Sequence, residues 1–134
     1  MSWDVLLLRL PGNVTSVRHV PDGYEPPPLG SRQHVTATLR RAVPGADLSD
    51  PTRGGLLGPG WSMELGIGAS DPVESVMLHI RGSGDDVLPH VFRMAAALDC
   101  KVLDCSAGDL ITAQEASGWH AFQTFRDHAV GPPR

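Results

Sequence analysis

The chain has 134 residues, the length of one domain, with 41% hydrophobic and 19% charged residues, a composition that excludes intrinsic disorder. A compact domain of this size removes roughly two thirds of its unfolded surface from water, so it holds a core without staples. Eleven bases stand against fifteen acids for a net charge of −4, and no basic cluster is interleaved with aromatics, which excludes a nucleic-acid face.

The charge is uneven. Residues 1–44 hold five Arg against three acids, and the rest holds six bases against twelve acids. Gly 15 and Pro 12 together exceed the roughly 12% average, so loops are expected to take a large share of the chain.

Residues 3–10 read as a strand. Val5 and Leu7 fall on one face, and Leu6, Leu8 and Leu10 on the other. A strand apolar on both faces is expected at the centre of a sheet, covered on both sides. The run Val5-Leu6-Leu7-Leu8, like every other apolar stretch of the chain, is far too short to span a membrane. Met1-Ser2-Trp3-Asp4 lacks the basic start of a signal peptide, so a cytoplasmic protein is expected.

Residues 11–30 read as irregular, with a turn at Pro21-Asp22-Gly23 and a stiff stretch at Pro26-Pro27-Pro28. Ser31 is expected to cap a helix reaching Val43, where Val35, Leu39, Ala42 and Val43 make one apolar stripe and Pro44-Gly45 stops it. Residues 45–60, rich in Gly and Pro, read as loop. Trp61 to Ile67 alternates as a half-buried strand, and Val76, Leu78 and Ile80 alternate with Met77, His79 and Arg81 as a second.

A helix is expected over about 87–99, its buried stripe running through Val91, Phe92, Ala95 and Leu98, with Pro89 in the first turn. Residues 102–105 make a short strand, and Leu110-Ile111-Thr112 a further strand or a return. Cys100 and Cys105 are spaced C-x4-C, not the C-x2-C of a zinc site, and read as two small buried thiols. Ser117 is expected to cap a final helix with Trp119, Phe122, Phe125 and Ala129 on one side.

The order strand, helix, strand, strand, helix, strand is βαββαβ, the ferredoxin-like split βαβ of an α+β protein. It predicts one domain over 1–134: a four-stranded antiparallel sheet, both helices on one face, and an extra C-terminal helix. That last helix is expected to dock on the face the others leave open, with a second copy joined through that same face as the alternative.

Several segments carry a resemblance. They include Ser2-Trp3-Asp4-Val5, Gly60-Trp61-Ser62-Met63-Glu64, Asp71-Pro72-Val73-Glu74-Ser75, Leu78-His79-Ile80-Arg81-Gly82 and Leu103-Asp104-Cys105-Ser106. With them the chain resembles a group of small bacterial proteins of unassigned activity that begin Ser-Trp-Asp. The likeness covers most of the chain except 12–27. It implies an accessory or immunity-like role, and no catalytic activity to carry over.

The most organised polar set lies on the hairpin of 61–81. If Ile67 pairs with Val76, Glu64 faces His79 and Ser62 faces Arg81, with directly opposed β-carbons about 5 Å apart. A carboxylate beside a His tunes an acid or base; an ordinary cross-strand ion pair is the favoured reading. Gly82-Ser83-Gly84 precedes a helix but matches neither a P-loop nor a dinucleotide fingerprint, and Asp85 and Asp86 beside it serve better as helix caps. His120 and His128 stand eight apart, His19 and His34 lie in or beside loops, and the spacing of Asp71, Asp85, Asp86 and Asp104 demands no metal.

Two functional readings follow. The leading one is a non-enzymatic interaction protein binding a protein partner or itself, with no cofactor, no metal and no membrane. The alternative is a small-molecule enzyme or binder on the open sheet face, with Glu64, His79 and Arg81 as its contacts.

Overall fold

The computed structural model describes residues 1–115 and 117–130. Strand β1 runs Trp3–Leu8, and its alternation sends Trp3, Val5 and Leu7 into the core with no exposed surface. It stops two residues short of the expected end, because Arg9 leaves the ladder. The Arg9 guanidinium instead donates to the Leu98 and Pro28 carbonyls, at 2.9–3.2 Å.

Helix α1, Arg32–Ala42, begins where Ser31 Oγ accepts from His34 N at 3.1 Å, which satisfies one of the free donors of the first turn. Its buried residues are Val35, Thr38 and Leu39, the core of the expected stripe. Two strands follow where a loop was expected: β2, Asp47–Asp50, and β3, Arg53–Leu57. The Gly-rich segment is a strand because its glycine is needed there. A β-carbon on Gly54 would come within 2.6 Å of Leu48 Cδ2, so the bare backbone makes room for the buried Leu48.

Strands β4, Trp61–Gly66, and β5, Val76–Gly82, form the expected hairpin, with Met63 opposite Ile80, Glu64 opposite His79 and Ser62 opposite Arg81. Helix α2, Val87–Ala97, buries Val87, Val91, Met94 and Ala95. Asp86 stands at its start without a capping bond; its carboxylate accepts from Trp61 Nε1 at 2.9 Å instead. Strands β6, Lys101–Asp104, and β7, Asp109–Ile111, make a second hairpin, and helix α3 is Ser117–Val130. The side chains of Ser117, His128 and Ala129, expected in the cap and on the face of that helix, lie outside the described residues.

The protein is therefore α+β, with three helices and a seven-stranded antiparallel sheet in the order β2-β3-β4-β5-β1-β6-β7. Three strands extend the expected four: β2 and β3, read as loop, beyond β4, and β7, at the segment read as a further strand or a return, beyond β6. β1 is central, with Trp3 opposite Ile80 on one side and Val5 opposite Asp104 on the other.

One core forms between sheet and helices. It joins Val5, Leu7, Leu65, Leu78 and Ile80 to Val35, Leu39, Val91, Met94 and Trp119. The expected placement of α3 is corrected here. Trp119 packs on Trp3 at 5.2 Å between ring centres, so α3 sits on the same side of the sheet as α1 and α2. Trp3 shares a side with Val5 and Leu7, and Trp119 joins their buried cluster there. The expected covering of β1 on both sides is corrected with it: helices cover one face only. Among the described residues no helix is long and apolar enough to cross a membrane.

Candidate functional site: the bare sheet face

The alternate residues of each strand define the face that no helix covers. Registered neighbours share a face, so the rows can be read across the sheet. One row is apolar: Met77, Leu6, Leu103 and Leu110, on β5, β1, β6 and β7, all half-buried. Leu8 lies beside it, flanked by Pro26 from the proline stretch of the long loop. On the other flank, Leu57 stands in register with Ser62 and Arg81 and is 83% exposed.

The adjacent row is polar and reads Glu64, His79, Asp4 across β4, β5 and β1. Glu64 does face His79 on the backbone ladder. The side chains choose otherwise. His79 Nδ1 lies 2.8 Å from Asp4 Oδ1, and an ionised carboxylate only accepts, so Nδ1 carries the proton. Glu64 turns to the Arg53 guanidinium at 3.3 Å. His79 sits between two acids in register and bonds the one that Ser2 Oγ also fixes, at 2.6 Å.

Burial works to raise the Asp4 pKa. Hydrogen bonds from Ser2 and His79, with the charges of His79 and Arg81, outweigh it and hold the carboxyl below its ordinary value. Asp4 thus orients the imidazole, the arrangement that serves a general base when a nucleophile stands beside it. The thiol beside this row is that of Cys105, whose N–H donates to the Asp4 carbonyl. It lies on the far side of Asp4 from His79, and burial together with the charges of Asp4 and Asp104 raises its pKa. A suppressed thiol one strand too far from the imidazole is no nucleophile for it. The row is an ordered chain of hydrogen-bonded and charged side chains.

The other candidates resolve into structure. The Gly82-Ser83-Gly84 segment holds α3 rather than a phosphate: Gly84 N donates to Gln123 Oε1 at 3.2 Å, and the Gly84 carbonyl accepts from Trp119 Nε1 at 3.3 Å. Asp85, expected as a cap, meets His120 Nε2 at 3.0 Å. Among the described residues no three His, Cys, Asp or Glu side chains gather as a metal site, so the four aspartates do not meet. Cys100 and Cys105 are free thiols; burial pushes Cys100 up to about 12, while Cys105 is exposed, not buried as expected.

Sequence reasoning missed a second feature. Asp104 is fully buried at the floor of a cleft of about 380 Å³ beside Phe122 and Phe125. Its signal was a single Asp on the inward parity of a strand beside Val102. Comparison with protein-family models, curated proteins and solved structures gives no match to this chain.

Proposed function

We propose that the protein is a non-enzymatic interaction module that pairs with a second copy of itself through the bare sheet face. One observation carries this reading: all three helices lie on one side of the sheet, and the other side presents Leu6, Leu8, Met77, Leu103 and Leu110 with no helix over them. Contiguous apolar area of this kind on a soluble domain marks an interface.

The charges favour a copy as occupant. Asp4 and Glu64 lie on the same face as Arg53 and Arg81, so a two-fold axis can set acid against base while apolar row meets apolar row. The area is at the lower end for a specific pair. Seven strands about 4.8 Å apart, of three to seven residues rising about 3.3 Å each, offer on the order of 550 Å² per copy. Two copies then bury on the order of 1,100 Å², just above the roughly 1,000 Å² that a specific interface should clear.

The scaffold we propose is a ferredoxin-like core with additions at both ends. What supports it is the run β6-β1-β5-β4, antiparallel throughout, with α1 between β1 and β4 in the chain and α2 between β5 and β6. We place the protein in the cytoplasm, which its two free thiols suit.

Sedimentation equilibrium of the full chain tests the function. The expected result is a concentration-dependent dimer that Leu6→Lys and Met77→Lys each reduce to monomer with unchanged far-UV circular dichroism. A wild-type chain that stays monomeric over the whole concentration range, or a dimer untouched by both substitutions, overturns it.

A further inference from the structure

We propose that the cleft between the start of β1 and α3 binds a small organic cation, an ammonium head on an apolar body, with Asp104 as its counter-charge. The site lies on the helix side of the sheet, apart from the face assigned to pairing, and stands independently of that reading.

The cleft measures about 380 Å³, a ligand-sized volume. Its walls are apolar, with Met1, Ala121, Phe122 and Phe125 among them. Met1 and Phe125 are 65% and 62% exposed, so they stand at its mouth. Asp104 and Ser2 supply its polar lining, with Ser106 beside them.

Asp104 is half satisfied. Its Oδ1 accepts from Ser106 N at 2.9 Å and Ala107 N at 3.1 Å. Its Oδ2 is buried and has no hydrogen-bond partner. A β-carbon on Gly118 would collide with Oδ2 and approach Trp3 Nε1 to 3.6 Å, and that indole N–H is also unpartnered. The glycine at the start of α3 therefore keeps both groups clear of a side chain. Among the described residues no Lys, Arg or His forms an ion pair with Asp104.

A carboxylate oxygen left unpaired in a buried place is costly, and a charged donor compensates it better than any neutral group. Of the aromatic ladder Trp3, Trp119 and Phe122, with ring centres 5.2 and 5.8 Å apart, Phe122 lines the cleft, and an aromatic ring there favours a cation. The apolar walls take the body of the ligand. An anion is repelled by Asp104 and by the net charge of −4.

The test titrates the full chain at neutral pH with hexylammonium, hexanol and hexanoate, and follows the indole Nε1–H signals of Trp3 and Trp119 by NMR, with Trp61 as the reference. Hexylammonium is expected to give a saturable shift, hexanol to bind about tenfold more weakly or worse, and hexanoate not at all. Asp104→Asn keeps an Oδ1 acceptor for the two turn N–H groups and is expected to weaken hexylammonium about tenfold while leaving hexanol unchanged. Ala121→Leu, at an exposed position in the wall, is expected to block both ligands with the fold intact, and serves if the Asn variant does not fold. Binding of N-acetyl-lysinamide as tight as that of hexylammonium assigns the head to a lysine of a partner protein; tight binding of the free amine alone assigns it to a small amine. Equal affinity for hexylammonium and hexanol, no loss in Asp104→Asn, or no shift with the amine overturns the proposal.

Discussion

Replacing Trp119 by Ala tests where α3 belongs. The side chain has no exposed surface, stacks on Trp3 at 5.2 Å and Phe122 at 5.8 Å, and donates to the Gly84 carbonyl. Truncating a buried aromatic costs about 3–5 kcal/mol, and the lost hydrogen bond falls within that range, so about 4 kcal/mol is expected. Against a total stability of about 5–15 kcal/mol this is a large fraction. At roughly 3–5 °C per kcal/mol for a chain of this length, Tm should fall by about 12–20 °C. Urea unfolding followed by circular dichroism measures it. Phe125→Ala, at a side chain 62% exposed, is the control and should stay within about 0.5 kcal/mol. A double-mutant cycle then locates the helix: Trp119 should couple to Trp3 by about 0.5–1.5 kcal/mol and not to Met77 on the opposite face. A loss below about 1 kcal/mol, or coupling to Met77 and not to Trp3, would refute the placement.

The Asp4 carboxyl, held below its ordinary value near 3.8, contributes stability that is fully present above that value and is lost as pH falls through the lower folded pKa. Asp4→Asn should therefore flatten the stability profile below about pH 3.8, which acid-side denaturant titrations would reveal; an unchanged profile counts against the Asp4–His79 geometry. For the thiols, iodoacetamide at about pH 8 should modify Cys105 more slowly than free cysteine and Cys100 far more slowly still, as read by mass spectrometry. Rapid labelling of Cys100 in the folded chain would contradict its burial.

The hairpin register was legible because period-two alternation leaves one way to put Met63, Leu65, Leu78 and Ile80 on the same side. The Asp4–His79 bond follows from the same logic one strand further on: Val5 against Leu78 sets Asp4 against His79. What hid it was that ladder neighbours do not decide which of two flanking acids a His bonds; Ser2, two residues from Asp4, tips the choice. β2 and β3 were hidden by composition. Gly and Pro ordinarily break strands, and nothing local says that Leu48 needs the space over Gly54. The side taken by α3 was hidden for another reason. An apolar stripe says that a helix must be covered and not by what, and Trp3, its partner, lies more than a hundred residues away in the chain.

The two ends of the sheet bear on what this protein does at high concentration. β2 and β7 are its outer strands, four and three residues long, and open strand edges recruit further strands. Both are disarmed. On β2, Asp47 Oδ1 takes the N–H and hydroxyl of Ser49, and Asp50 Oδ1 those of Thr52, so the edge is acidic and curled on its own side chains. At β7, Asp109 is occupied by Val17 N and Ser16 Oγ from the long loop. Both margins are poorer templates for growth by adding strands edge to edge, the route to fibrils. On the pairing proposed through the broad face, a two-fold pair is complete once formed, so crowding should yield discrete particles in place of aggregates.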